Sequence, residues 1–157
     1  MSNDVQARLG DLAQLEATLT FQHFGVEDAI AIGMKLYEKA KAEGQNIAIH
    51  ISINRKDLFH LSMDGCSPDN DAWLRRKENM VYRLGQSSMR TVTFCEMMGA
   101  SVFDFYAFDH ENYVAAGGGF PINIAGVGCV GAIAVGGMMP HQDHQYIVDV
   151  LKEYLKQ

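Results

Sequence analysis

The chain has 157 residues, 48% hydrophobic and 20% charged, with a formal net charge of −6. That is enough length for one domain to bury a core, and the acidic balance excludes a nucleic-acid binder, which needs clustered Lys and Arg to neutralise phosphates. The N-terminus lacks the basic start and apolar core of a secretory signal, and no apolar run reaches membrane-spanning length, so a cytoplasmic protein without a membrane partner is expected.

Val5, Leu9, Leu12, Leu15 and Leu19 recur at three- and four-residue spacing, which predicts a helix over about 5–19. A second helix is expected from about Val26 to Glu43, with Ile30, Met34, Tyr37 and Ala40 (or the stem of Lys41) inward and Gly44 ending it. The period then changes to two. Ile47, Ile49, Ile51 and Ile53 alternate with Ala48, His50 and Ser52, and Phe59, Leu61 and Met63 alternate with Leu58, His60 and Ser62, which predicts a β-hairpin with one apolar face. Cross-strand partners share a face, so the parity of the pattern calls for a three-residue loop, Asn54-Arg55-Lys56. In that register Ile51 opposes Phe59 and His50 opposes His60.

Further on, "GCSPDNDAWLRRKENMVYRLGQ" opens as a turn and becomes a helix with Trp73, Met80 and Leu84 on one stripe and the basic residues beside it. Ser87 or Ser88 can cap the next helix, which Gly99 ends. The aromatic stretch "SVFDFYAFDHENYVAAGG" alternates as a strand, loop and second strand would, and Pro140 starts a last helix with Ile147, Val150, Leu151 and Tyr154 inward. Short turns between adjacent strands give an α+β layout, an antiparallel sheet with helices packed on it.

Gly126 to Gly131, "GVGCVG", has the spacing of a dinucleotide-binding fingerprint. A true fingerprint joins a strand to a helix and leads into a βαβ unit. Here the β-branched "AIAVGG" follows, and one helix remains before the end of the sequence. The pattern reads as two strands joined at a Gly-Val-Gly turn.

Cys66, Cys95 and Cys129 are odd in number and without C-x-x-C spacing, so free thiols are expected rather than a disulfide framework or zinc site. His50 and His60, on one sheet face, could share an ion or an axial cofactor, or could simply be polar residues on a solvated face. His141 and His144 flank Asp143 at the start of the last helix, where a metal is conceivable, but Asp143 fits equally as an acid at a helix N-terminus. Arg75, Arg76 and Lys77 could meet an anion or form a solvated helix face. Gly117-Gly118-Gly119 could offer backbone N–H groups to an anion or mark a bulged strand entry. No nucleophilic or paired-carboxylate arrangement is visible in the linear sequence. Nine methionines, Met138 and Met139 among them, suit an apolar contact between copies.

"SMDG" (62–65), "RRKENMVYRLGQSS" (75–88) and "GGGFPINIAGVGCVGAIAVGGMMPHQDHQYIVDVL" together resemble the haem-degrading, GlcG-like family, which includes HbpS-type haem-binding proteins. The W-x-x-R-K and G-G-F-P-I segments are similar to those of its cytosolic branch. The resemblance implies a profilin-related layered fold over 1–157, with a central antiparallel sheet, a homo-oligomer, and a small ligand that could be haem. The alternatives are an enzyme acting on haem or a small organic acid, and a protein-interaction scaffold. Matching positions are Lys77, Gly118, Gly119, Pro121, Asp143 and His144. Gly136 departs from the family's common Val-Ser-Gly, so a hydroxyl is missing there. The ligand-binding residues expected on this basis are Arg76, Lys77, Gly118, Gly119, Phe120, Pro121 and His60. Their pocket is expected between the sheet and the helix carrying Arg76 and Lys77, with the 117–121 loop at its edge.

Overall fold

The computed structural model describes residues 2–156. Six helices and four strands follow in the order α1 (Ser2–Thr18), α2 (Val26–Ala42), β1 (Ala48–Ile53), β2 (Lys56–Ser62), α3 (Pro68–Leu84), α4 (Ser88–Met98), α5 (Val102–Tyr106), β3 (Gly119–Ile124), β4 (Gly128–Gly136) and α6 (Pro140–Leu155). The strands form one antiparallel sheet in the order β2-β1-β4-β3. This is the α+β layout read from the sequence.

Register assigns the two sheet faces. Phe59, Ile51, Ile133 and Phe120 are successive neighbours across the four strands. With Ile49, Ile122 and Val135 they pack against Ile32 and Leu36 of α2 and Ile147 and Leu151 of α6. Two tyrosine hydroxyls tie those helices together: Tyr146 donates to Glu43 at 2.5 Å and Tyr154 to Asp28 at 2.6 Å. The opposite sheet face receives α3, where Leu74 packs on Ala48 and Ala134. α1 lies against α4, and Glu16 accepts from the Ser87 N–H at 3.1 Å and its hydroxyl at 2.7 Å. Ser87 in turn caps α4 by accepting from the Arg90 N–H.

The "GVGCVG" segment joins β3 to β4 through a turn, and the next helix starts only at Pro140. The dinucleotide reading is thereby excluded, as the sequence argument requires.

Four expectations need correction. The β1–β2 loop has two residues, Asn54 and Arg55, both with positive φ (50° and 67°), as the right-handed twist of a tight hairpin favours. A register shift after Ile51 leaves Leu58 as an extra residue on β2 and restores the parity, so Ile51 still meets Phe59 and His50 still meets His60. The buried stripe of α2 is Ala29, Ile32, Gly33, Leu36 and Ala40, rotated from the one expected, and Ile30 and Met34 are exposed. Gly33 sets that rotation: a Cβ there would lie 2.5 Å from the Phe59 ring.

On α3, Leu74, Lys77, Glu78, Met80 and Val81 are buried while Trp73 is exposed, so the basic cluster is not a uniformly solvated face. Finally, Val102–Tyr106 is a short helix, with Ser101 Oγ accepting from the Asp104 N–H. Its aromatic residues, apolar on every side, carry no period that separates helix from strand. They pack on one another and on their neighbours instead: Phe105 meets Tyr106 edge to face at 5.0 Å between centroids, and Tyr106 stacks on Phe108 at 5.2 Å.

Candidate functional site

The row of residues facing α3 runs His60, His50, Ala134, Gly119 across β2, β1, β4 and β3. At the β3–β4 end the row has almost no side chain, and α3 comes into backbone contact with it: a Cβ on Gly119 would sit 2.8 Å from the Lys77 carbonyl oxygen. At the β1–β2 end two imidazoles stand between helix and sheet. The result is a cleft of about 220 Å³ lined by His50, Arg55, Asp57, His60, Asp71 and Arg75.

His50 sits between two carboxylates. Its Nδ1 makes a short hydrogen bond with Glu78, and its Nε2 lies 2.8 Å from Asp57 Oδ1. Ionised carboxylates only accept, so both ring nitrogens carry protons when both contacts are hydrogen bonds. Burial alone would lower the His50 pKa, but the Glu78 and Asp57 contacts outweigh it, and the net shift is upward. Glu78 is itself buried and also accepts from Ser52 Oγ at 3.1 Å. Ser52 Oγ is 2.9 Å from the Tyr82 hydroxyl, and Arg55 lies with its guanidinium 4.1 Å above the Tyr82 ring.

His60, half exposed, stands edge to face with His50 at 5.6 Å between centroids. Its Nε2 is 2.9 Å from Asp71 Oδ1, which also accepts from Ser62 Oγ at 2.8 Å. Partial burial of Asp71 works against its ionised form, but these bonds prevail and hold the carboxyl below the usual range. The structure therefore assembles carboxylate–imidazole pairs that linear reading does not reveal.

Lys77 is on the other flank of α3. Its Nζ donates to the Val135 carbonyl and to Asp143 Oδ2, both at 2.9 Å, and Asp143 Oδ1 accepts from the Met138 N–H at 3.1 Å. Burial pulls Lys77 down and Asp143 up, towards their neutral forms, and the mutual contact opposes both shifts. Gly118, at φ +118°, closes over this pair: a Cβ there would be 2.6 Å from both Nζ and the Val135 oxygen. A hollow of about 250 Å³, lined by Trp73, Lys77, Gly136, Gly137 and Asp143, opens beside it.

The residues singled out by sequence thus divide. Lys77, Gly118 and Gly119 come together with Asp143, and Pro121 is buried in β3. Arg76 stacks on the exposed Trp73 at 4.6 Å, Phe120 is fully buried on the opposite sheet face, and His60 belongs to the cleft. Glu78, Asp57, Asp71, Arg55, Ser52 and Tyr82 escaped the sequence reading. A signal existed for three of them: Asp71, Glu78 and Tyr82 join Arg75 in a polar stripe at helical spacing. The three cysteines are free, and burial raises each thiol pKa.

Residues 24–152 match the family described as haem degrading protein, HbpS-like. The chain belongs to this family. A UPF0303 protein of Streptomyces coelicolor is 35% identical to it over 147 residues, 94% of this chain and 93% of the relative. The crystal structure of Ybr137w protein has the same fold, with a TM-score of 0.88 at 22% identity over 99% of this chain and 94% of that one. A PduOC:haem complex gives 0.70 at 13% identity, covering 82% and 93% of the two chains. The HbpS-like match begins after α1, and no helix among the described residues is long and apolar enough to cross a membrane.

Proposed function

We propose that this HbpS-like protein binds a small ligand in the cleft between α3 and the β1–β2 hairpin, as a cytoplasmic homo-oligomer, with haem as the first candidate. The observation that carries this reading is the pair of adjacent imidazoles, each held by a carboxylate, in a cleft that also exposes Arg55 and Arg75. The family description and the haem complex of a structural neighbour support haem. So does His60: a carboxylate on one ring nitrogen is how metal-ligating histidines are oriented, and Nδ1 is left for iron. Arg55 and Arg75 suit propionates. Bound haem would supply redox-active iron beside His60. At about 220 Å³ the hollow takes only an edge of a macrocycle, since enclosing pockets run from about 300 to 1,000 Å³. A second copy would then cover the remainder, which accords with a homo-oligomer.

Titration of the full chain with haemin tests the reading. A saturable Soret shift is expected in the wild type and is lost in His60→Ala. No shift in the wild type rejects haem, and a shift retained by His60→Ala rejects this cleft. A second reading, an enzyme acting on haem or a small organic acid, draws on His50: displacing the exposed Asp57 would free Nε2 to exchange a proton with a bound substrate while the buried Glu78 holds Nδ1. Loss of the haem spectrum with a reductant, with product formed and both abolished in His50→Asn, would favour turnover over binding.

A further inference from the structure

A second groove, of about 530 Å³, runs between α1, α4 and α6 and shares no residue with the His50–His60 cleft. Its apolar wall comes from Leu12, Leu15 and Met89. His144, 6% exposed, lines it, yet Nδ1 of that ring is sealed from solvent and has no hydrogen-bond partner. Buried polar atoms without partners are rare in folded proteins and call for an explanation.

The missing partner restricts the tautomer. An orphaned N–H donor is rarer than an under-used acceptor, so the ring proton belongs on Nε2 rather than Nδ1. Burial lowers the His144 pKa to about 4, so the imidazole is neutral at physiological pH. A neutral ring with Nε2–H and no acceptor on Nδ1 is a poor metal ligand, because metal-bound histidines donate through the other nitrogen. It is instead a hydrogen-bond donor set beside an apolar wall. The charged and titratable groups around the groove are Arg8, His141 and Asp11. Arg8 pairs with Glu96 at 3.0 Å, but both side chains are about half exposed, and such pairs yield readily to a competing anion.

We infer that this groove is a binding site for a medium-chain carboxylate. The alkyl chain lies on Leu12, Leu15 and Met89, and the carboxylate accepts from His144 Nε2–H with Arg8 as the nearby cationic group. The inference does not depend on haem binding or on the His50–His60 cleft.

Octanoate is the probe, added to the full chain and followed by long-range ¹H–¹⁵N correlation of the histidine rings and by calorimetry. The free chain should show His144 as the Nε2–H tautomer. Octanoate should shift its ring signals saturably, while octylamine at the same concentrations leaves them in place. Leu12→Trp, on a partly exposed face of α1, fills the groove and should weaken octanoate binding at least tenfold with the thermal midpoint unchanged. His144→Phe should do the same. An Nδ1–H tautomer, an absence of saturable shifts, equal binding of octylamine, or full affinity in Leu12→Trp would each overturn the inference.

Discussion

His50 on the sheet and Lys77 on α3 show how position along the α3–sheet interface decides what a charged residue does. His50 meets Glu78 and Asp57 and is driven towards its protonated form, whereas Lys77 meets Asp143 and backbone oxygen. Because the folded-state pKa of His50 lies above its unfolded value of about 6.5, its stabilising contribution is complete below that pH and is lost as pH rises through the raised value. Urea unfolding between pH 6 and 9 should show a decline in stability that is absent in His50→Asn. Lys77→Met leaves Asp143 buried and unpaired and should cost about 3–5 kcal/mol, read from the denaturant midpoint. Lys77→Met combined with Asp143→Leu should recover most of that loss.

At the level of elements, the β1–β2 hairpin and α1 are each placed by contacts that can be named. The hairpin keeps its apolar face in register although its turn is one residue shorter than the pattern demands, because the extra residue, Leu58, sits within β2 and still packs on the core. α1 is joined to α4 through Glu16, whose carboxylate bonds Ser87 and, at 3.4 Å, Arg90. Burial, its largest influence, raises the Glu16 pKa despite these partners. Glu16→Ala should cost about 1–3 kcal/mol by leaving the Ser87 donors unpaired. Amide exchange should then quicken in α1 and the first turn of α4 while the β4 amides keep their protection.

Across the whole molecule, the sheet has its apolar core on the α2–α6 face and its polar chemistry on the α3 face. α2 turns Val26, Ile30 and Met34 outward on one stripe, at 48, 43 and 40% exposure. A second copy covering that stripe would account for three apolar residues at helical spacing in water. Native mass spectrometry should then find an oligomer in the wild type, and Ile30→Glu with Met34→Glu should reduce it to smaller species with an unchanged far-ultraviolet spectrum. A single copy in the wild type would contradict the proposed homo-oligomer.

Local patterns carried much of this protein. Alternation over 47–53 and 58–63 determined the hairpin and the pairing of His50 with His60, the run after "GVGCVG" excluded a dinucleotide site, and Gly85 and Gly99 stop α3 and α4 in the left-handed conformation. These features depend on residues close in the chain. The cleft does not: Glu78 reaches His50 across 28 positions and Asp143 reaches Lys77 across 66. Which face of α2 turns inward was decided by the Phe59 ring against Gly33, and where α3 touches the sheet by the absent side chain of Gly119. Packing between distant segments has no period in the sequence, so only the tertiary structure could place the two histidines in an open cleft and seal the lysine in its pair.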